Sequence, residues 1–175
     1  MFAAAETQVI EVVAAEGLAA LRAGPAPLVV TRDFSDLGRE TAAARTILMV
    51  DDDPDIIRLL TIALEPQGFR LLSASDGVTA LQIARAQRPD LLLLDWNLPG
   101  RDGLEVCRAL RADPDAHLRR VTVVMLTAHQ EAEDTAAGFA AGVTDYVTKP
   151  FKPAYIRSRV HAWLLRGRPA GESTD

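Results

Sequence analysis

A single cysteine, Cys107, occurs in 175 residues. That excludes an internal disulfide framework and suits a reducing compartment. Cys107 falls three residues after Leu104 and three before Leu110, on an apolar helical stripe, so it reads as a core side chain and not as a reactive thiol. No apolar run approaches the ~20 residues of a membrane helix. The N-terminus, MFAAAETQV, has no cationic stretch and reaches a glutamate early, which excludes a signal peptide. Basic runs are missing as well: arginines are scattered, and a net charge of −5 argues against free nucleic acid as the partner. Neither an internal repeat nor a low-complexity tract is found. These absences predict a cytoplasmic protein with no membrane partner and no direct DNA binding.

What remains has the proportions of a globular protein with a substantial core, 49% apolar and 25% charged. The stretch LLLLDWNLPGRDGLEVC, Leu91 to Cys107, organises it. Four leucines ended by Asp95 and followed by a Pro-Gly pair predict a strand buried on both faces. From Thr46 onward the same rhythm repeats. Strands are expected at Ile47–Val50, Arg70–Ala74, Leu91–Leu94, Val121–Leu126 and Asp145–Val147. Helices are expected from Asp53-Pro54 to Glu65, Gly77 to Gln87, after Asp102, over Gln130–Ala141 and from Pro153. Strands alternating with helices in this way predict stacked βαβ units, a doubly wound α/β fold with a five-stranded parallel sheet.

Residues 1–45 differ in composition. Ala3–Ala23 is rich in alanine and glutamate, with Ile10, Val13, Leu18 and Leu21 near helical spacing, and Gly24-Pro25 follows. The expectation is an N-terminal helical extension whose apolar stripe either folds back on the main domain or, the favoured reading, pairs two copies into a homodimer. Residues 46–166 form the main domain, and 167–175 are expected to be a disordered tail.

Open α/β sheets place their chemistry at the carboxyl ends of the strands. There the sequence sets Asp51, Asp52 and Asp53 after strand one, Asp95 after strand three, Thr127 after strand four and Lys149-Pro150 after strand five. Converging carboxylates repel, and Mg²⁺, which needs few protein oxygens and keeps several waters, is the expected remedy. A carboxylate beside Mg²⁺, with a lysine and a threonine hydroxyl opposite, is suited to attack on a phosphoryl group. Asp53 reads as a helix cap and is set aside.

The segments ILMVDDD (Ile47–Asp53), LLLLDWNLPGRDG (Leu91–Gly103), MLTAH (Met125–His129) and DYVTKPF (Asp145–Phe151), in this order, resemble the receiver domain of bacterial two-component response regulators. The resemblance implies a flavodoxin-like (βα)5 fold over Thr46 to about Arg166. It implies Asp95 as phosphoacceptor and Asp51, Asp52, Asp95 and the Asn97 backbone carbonyl as Mg²⁺ ligands. Lys149 would bind phosphate and its bond to Pro150 would be cis, Thr127 and Tyr146 would form the switch, and Ala128 would leave room for the phosphoryl group. Trp96 would lie at the site mouth. A sensor histidine kinase or phosphotransfer protein would donate the phosphoryl group, and a protein target would read the result. With about nine residues left after the last helix, the expectation is a stand-alone receiver without a DNA-binding output domain, or a piece cut from a larger protein, and not an enzyme with a separate substrate. Two other readings remain. An aspartate-nucleophile phosphatase or phosphotransferase would carry a second aspartate where Asn97 stands. A phosphorylation-dead binding module would lack part of the acidic and basic set.

Overall fold

Strand and helix alternate from Thr46 because leucine- and valine-rich tetrads and pentads are separated by segments that carry aspartate caps and amphipathic periods. The computed structural model describes residues 9–12, 28–31, 44–128 and 132–166. Its parallel strands are β3 (Thr46–Val50), β4 (Arg70–Ala74), β5 (Leu91–Asp95), β6 (Thr122–Thr127) and β7 (Asp145–Thr148), ordered β4-β3-β5-β6-β7. Helices α1 (Pro54–Leu64), α2 (Gly77–Gln87), α3 (Gly103–Arg111), α4 (Ala116–Arg120), α5 (Ala132–Ala140) and α6 (Pro153–Arg166) connect and follow them. The doubly wound α/β fold expected from the sequence is present, and the chain reverses direction across the sheet between β3 and β5. That switch point is where such sheets open a crevice.

Strand alternation divides the core into two halves. Leu48, Val50, Leu92, Leu94, Val123 and Met125 pack with Leu81 and Ile83 of α2 and with Leu104, Val106 and Leu110 of α3. Ile47, Met49, Leu91, Leu93, Val124 and Leu126 pack with Leu60 and Leu64 of α1 and with Ile156, Val160 and Trp163 of α6. The starts of α1 and α3 follow the expected capping chemistry. Asp53 accepts from the Asp55 N–H with Pro54 in the first turn, and Asp102 and Glu105 form a reciprocal capping box. Cys107 is buried, its thiol donating to the Ala141 carbonyl at 3.3 Å.

Two local expectations are corrected. Val9–Val12, placed by its spacing inside an N-terminal helix, is strand β1, antiparallel to β2 (Leu28–Thr31), and Val30 of β2 pairs with Leu71 of β4. Val9, Ile10 and Val12 are β-branched, and the β4 edge offers unpaired backbone that an extended segment satisfies and a helix does not. The sheet is therefore seven-stranded, with an antiparallel edge on its parallel body. A helix-to-helix homodimer that ran through Ile10 loses its basis. The remaining parts of the expected helix, and the tail from 167, lie outside the described residues. The second correction is α4, a short helix not anticipated between α3 and β6. Asp115 caps it by accepting from the His117 N–H at 2.8 Å.

The β7–α6 contact is polar at one point. Asp145 Oδ2 accepts from the Trp163 indole Nε1 at 2.8 Å, Arg159 Nη2 at 3.0 Å and Arg166 Nη1 at 3.3 Å. Its Oδ1 accepts from the Tyr146 N–H at 2.9 Å. Burial alone pushes the Asp145 carboxyl up, but the donations from Trp163, the Tyr146 backbone and Arg159 outweigh it and hold the group below its usual range. A carboxyl lowered by folding contributes stability above its unfolded value of about 3.9, and that contribution fades as pH falls through the folded value. Asp145→Ala would leave the N–H of the fully buried Trp163 ring without its acceptor, at a cost of about 1–3 kcal/mol. Urea titrations at pH 7 and pH 3 should show that cost shrinking in acid. An equal cost at both pH values would contradict the assignment.

Candidate functional site

The carboxyl ends of β3 and β5 are neighbours in the sheet, with Val50 opposite Leu94, so the next residues, Asp51 and Asp95, are brought side by side. Both continue the strand parity of Ile47, Met49, Leu91 and Leu93. Asp51 is 1% exposed at its side chain and Asp95 8%, so neither charge is dispersed by water. Lys149, just past β7, extends between them. Its Nζ donates to Asp51 Oδ2 at 2.6 Å and to Asp95 Oδ1 at 2.9 Å. The Asp53 N–H donates to the other Asp51 oxygen at 3.0 Å. Asp52 is exposed, and one oxygen from each of Asp51, Asp52 and Asp95 lies within 4.8 Å of the other two.

Burial pushes the Asp51 carboxyl above the usual carboxylate range. The bonds from Lys149 and the Asp53 backbone oppose this, and Asp52 adds to it. Burial likewise raises Asp95, with Lys149 opposing and Asp51 adding. For Lys149, burial favours loss of the proton, but the bonds to Asp51 and Asp95 outweigh it and raise the ammonium. One ammonium thus faces three carboxylates and leaves the cluster short of positive charge. All-oxygen donors, two of them buried and one open to solvent, fit a hard dication that retains waters.

Thr127, the last residue of β6, is buried, and its carbonyl accepts from the Lys149 N–H at 2.8 Å. By strand parity it falls with Met125 and Tyr146, on the sheet face opposite to that of Asp51 and Asp95. Ala128 follows at the surface, and Asn97 is exposed in the loop beyond Asp95. Trp96 is half-buried and packs against the α2–α3 half of the core, as does Tyr146. The Lys149–Pro150 peptide is cis. Of the three histidines, His117 pairs with the Pro89 carbonyl and His161 with Gln67, while His129 lies outside the described residues.

Gly103 was given no role by its motif. A Cβ there would overlap the Asp95 carbonyl oxygen and come within 3.0 Å of Met125 Sδ. The Gly103 N–H donates to the Trp96 carbonyl at 2.8 Å, so the loop after Asp95 turns back onto its own strand. The available signal was a glycine in the first helical turn directly after a capping aspartate, where it weakens the helix.

Residues 47–161 match the response regulator receiver domain family. The chain belongs to that family. The receiver is 48% identical over 120 residues to the DNA-binding response regulator MtrA of Mycolicibacterium smegmatis, covering 69% of this chain and 50% of MtrA. It is 41% identical over 131 residues to the alkaline phosphatase synthesis transcriptional regulatory protein PhoP of Bacillus subtilis, covering 75% of this chain and 53% of PhoP. Among solved structures, it is similar to the receiver domain of the sensor histidine kinase PA1611 from Pseudomonas aeruginosa. There the identity is 34% and the TM-score 0.63, over 70% of this chain and 98% of that one. That structure has magnesium coordinated in its active-site cleft.

The receiver thus spans about half the length of MtrA and PhoP. The expectation of no direct DNA binding is corrected by these relatives, since MtrA is itself a DNA-binding response regulator. The net charge of −5 is that of these 175 residues, to which the acidic site contributes, and carries no information on the charge of the unmatched half of MtrA. Among the described residues no helix is long and apolar enough to cross a membrane.

Because folding raises Asp51 and Asp95, their ionisation costs stability. The cost begins as pH rises through the unfolded value of about 3.9 and is complete above the folded values. With divalent ions chelated, Asp95→Asn should therefore be more stable than the wild type at pH 7, by on the order of 1 kcal/mol, and no more stable near pH 3. Saturating Mg²⁺ should reverse the ranking, adding about 2.7 kcal/mol to the wild type at a hundredfold excess over Kd. Thermal melts in EDTA and in Mg²⁺ measure both. A less stable Asp95→Asn in EDTA at pH 7 would be evidence against the electrostatic account.

Proposed function

We propose that the chain is a phospho-accepting signalling switch, in which Asp95 takes a phosphoryl group from the phosphohistidine of a sensor kinase or phosphotransfer protein. The observation that carries this reading is the Lys149 ammonium held 2.9 Å from Asp95 beside two further carboxylates, at the switch point of the sheet. An Asp95 carboxylate oxygen attacks phosphorus, the P–N bond breaks with its electron pair going to nitrogen, and the imidazole, taking one proton from solvent, leaves neutral. Lys149, already paired to Oδ1, holds the carboxylate against rotation and neutralises the transferring oxygens. Bound Mg²⁺, held by Asp51, Asp52, Asp95 and the Asn97 carbonyl, would supply further charge to those oxygens. On phosphorylation the Thr127 hydroxyl turns across the strand ends from the opposite face of the sheet to donate to the phosphoryl group, Ala128 leaves space for that group, and Tyr146 changes position with Thr127. The product shifts a population between two surfaces, and hydrolysis of the acyl phosphate resets it.

We read the chemistry as acceptance and loss of the protein's own phosphoryl group, without turnover of a separate substrate. Its setting is the cytoplasm, where a kinase is charged from ATP. The relatives are transcriptional and DNA-binding regulators by name, so the output of the switch is read as control of transcription.

Incubation with acetyl phosphate and Mg²⁺ should add one phosphate to the intact mass, labile at alkaline pH. Asp95→Asn should show none, and Lys149→Ala should accept at least roughly 100-fold more slowly, the scale of losing one charged stabilising donor. An adduct that persists in Asp95→Asn would sink the assignment. A second signal should come from Trp96, whose emission should change when Mg²⁺ binds and stop changing in Trp96→Phe.

A further inference from the structure

Gly138 lies in the interior of α5, flanked by Ala136, Ala137 and Ala140, in a position where glycine is unfavourable and alanine is the best helix former. Helix termination does not account for it. The left-handed glycine beyond this helix is Gly142, with φ +93°, whereas Gly138 has no positive φ. Space accounts for it. A Cβ on Gly138 would overlap the Tyr146 hydroxyl and approach the ring carbon Cζ to 2.8 Å. The absent side chain forms a notch in α5, and the end of the Tyr146 ring occupies it.

The rest of the seat is also specific. Phe139, the next residue of α5, meets the Tyr146 ring edge to face, with centroids 5.1 Å apart and planes at 78°. The other flank of the ring packs against the α2–α3 half of the core. In the strand register Tyr146 is opposite Met125, two residues before Thr127 and on the same sheet face. Its backbone is held on the far side by Asp145, which is tied to α6. A ring with its backbone pinned can change only its side-chain rotamer, and α5 decides which rotamers have room.

We propose that Gly138 is a positioning residue that sets where the Tyr146 ring rests and, through it, the equilibrium between the two forms of the receiver. This rests on the reading of Tyr146 as part of the switch. A side chain at 138 removes the present seat and drives the ring to its other positions, changing the population that accepts phosphate.

Gly138→Ala, Tyr146→Ala and the double variant test this. Two readouts are needed: the aromatic NMR resonances of Tyr146, one of only two tyrosines, and the rate of phosphorylation by acetyl phosphate. Gly138→Ala should move the Tyr146 ring resonances and change the phosphorylation rate roughly 5-fold or more. In the Tyr146→Ala background the same substitution should leave the rate unchanged and raise the melting temperature, since only helix propensity then remains. If Gly138→Ala fails to fold alone but folds with Tyr146→Ala, the overlap is supported; failure to fold in both backgrounds would overturn it. Unmoved Tyr146 resonances, or a rate effect of equal size in the Tyr146→Ala background, would also overturn the proposal. Failure of the functional reading is distinct. It would appear as a wild type that accepts no phosphate while Gly138→Ala still moves the Tyr146 ring.

Discussion

The site depends on one ammonium placed between two buried carboxylates. The parallel register of β3 and β5 forces Asp51 and Asp95 together, because Val50 and Leu94 are already partners in the ladder. Two like charges at that spacing, nearly removed from water, repel strongly. Lys149 offsets this from the end of β7, with hydrogen bonds to both. The compensation is incomplete: both carboxyls remain raised, and Asp52 adds a third negative charge at the mouth. A site left short of positive charge is stabilised by whatever brings more, and a dication with its own charge and waters does so. The same deficit that costs folding energy thus prepares the site for its ligands.

Strand parity divides the labour between the two sides of the sheet. Asp51 and Asp95 continue the positions that pack on α1 and α6, whereas Thr127 and Tyr146 continue those that pack on α2 and α3. Lys149 belongs to both arrangements, since its side chain reaches the carboxylates while its backbone N–H bonds to the Thr127 carbonyl. Asp95 and the strand end that carries Thr127 are thus joined through one residue, Lys149. Gly103 under Asp95 and Gly138 under Tyr146 are the close approaches that let loop and ring take these positions. Gly138 is inside a helix, where local propensity disfavours it, and such local conflicts concentrate at functional places.

Most of the receiver's architecture was legible because each of its signals is local. Leu91–Leu94 ended by Asp95 marks a doubly buried strand, and Asp53-Pro54 and Asp102 with Glu105 mark helix starts by their own hydrogen bonds. The candidate site was legible as well, since in a parallel sheet every residue just after a strand lies at the same edge. Less was legible where pairing decides the outcome. The segment around Val9–Val12 satisfies helical spacing and β-branched composition at once, and the open β4 edge resolves it through β2. The short α4 escaped notice because five residues are too few for a periodic signal.

By itself the sequence determined which residues cap, which are buried and which carboxylates, hydroxyl and ammonium reach one edge of the sheet, because capping, alternation and parallel connection act within a few residues or follow from topology. Only the tertiary structure decided how those groups meet. It placed Lys149 on both Asp51 and Asp95, tied Asp145 to the Trp163 indole, and fitted the Tyr146 hydroxyl over Gly138. Each of these is a distance between groups far apart in the chain or on different elements, and a distance of that kind is set by packing, which no local pattern encodes.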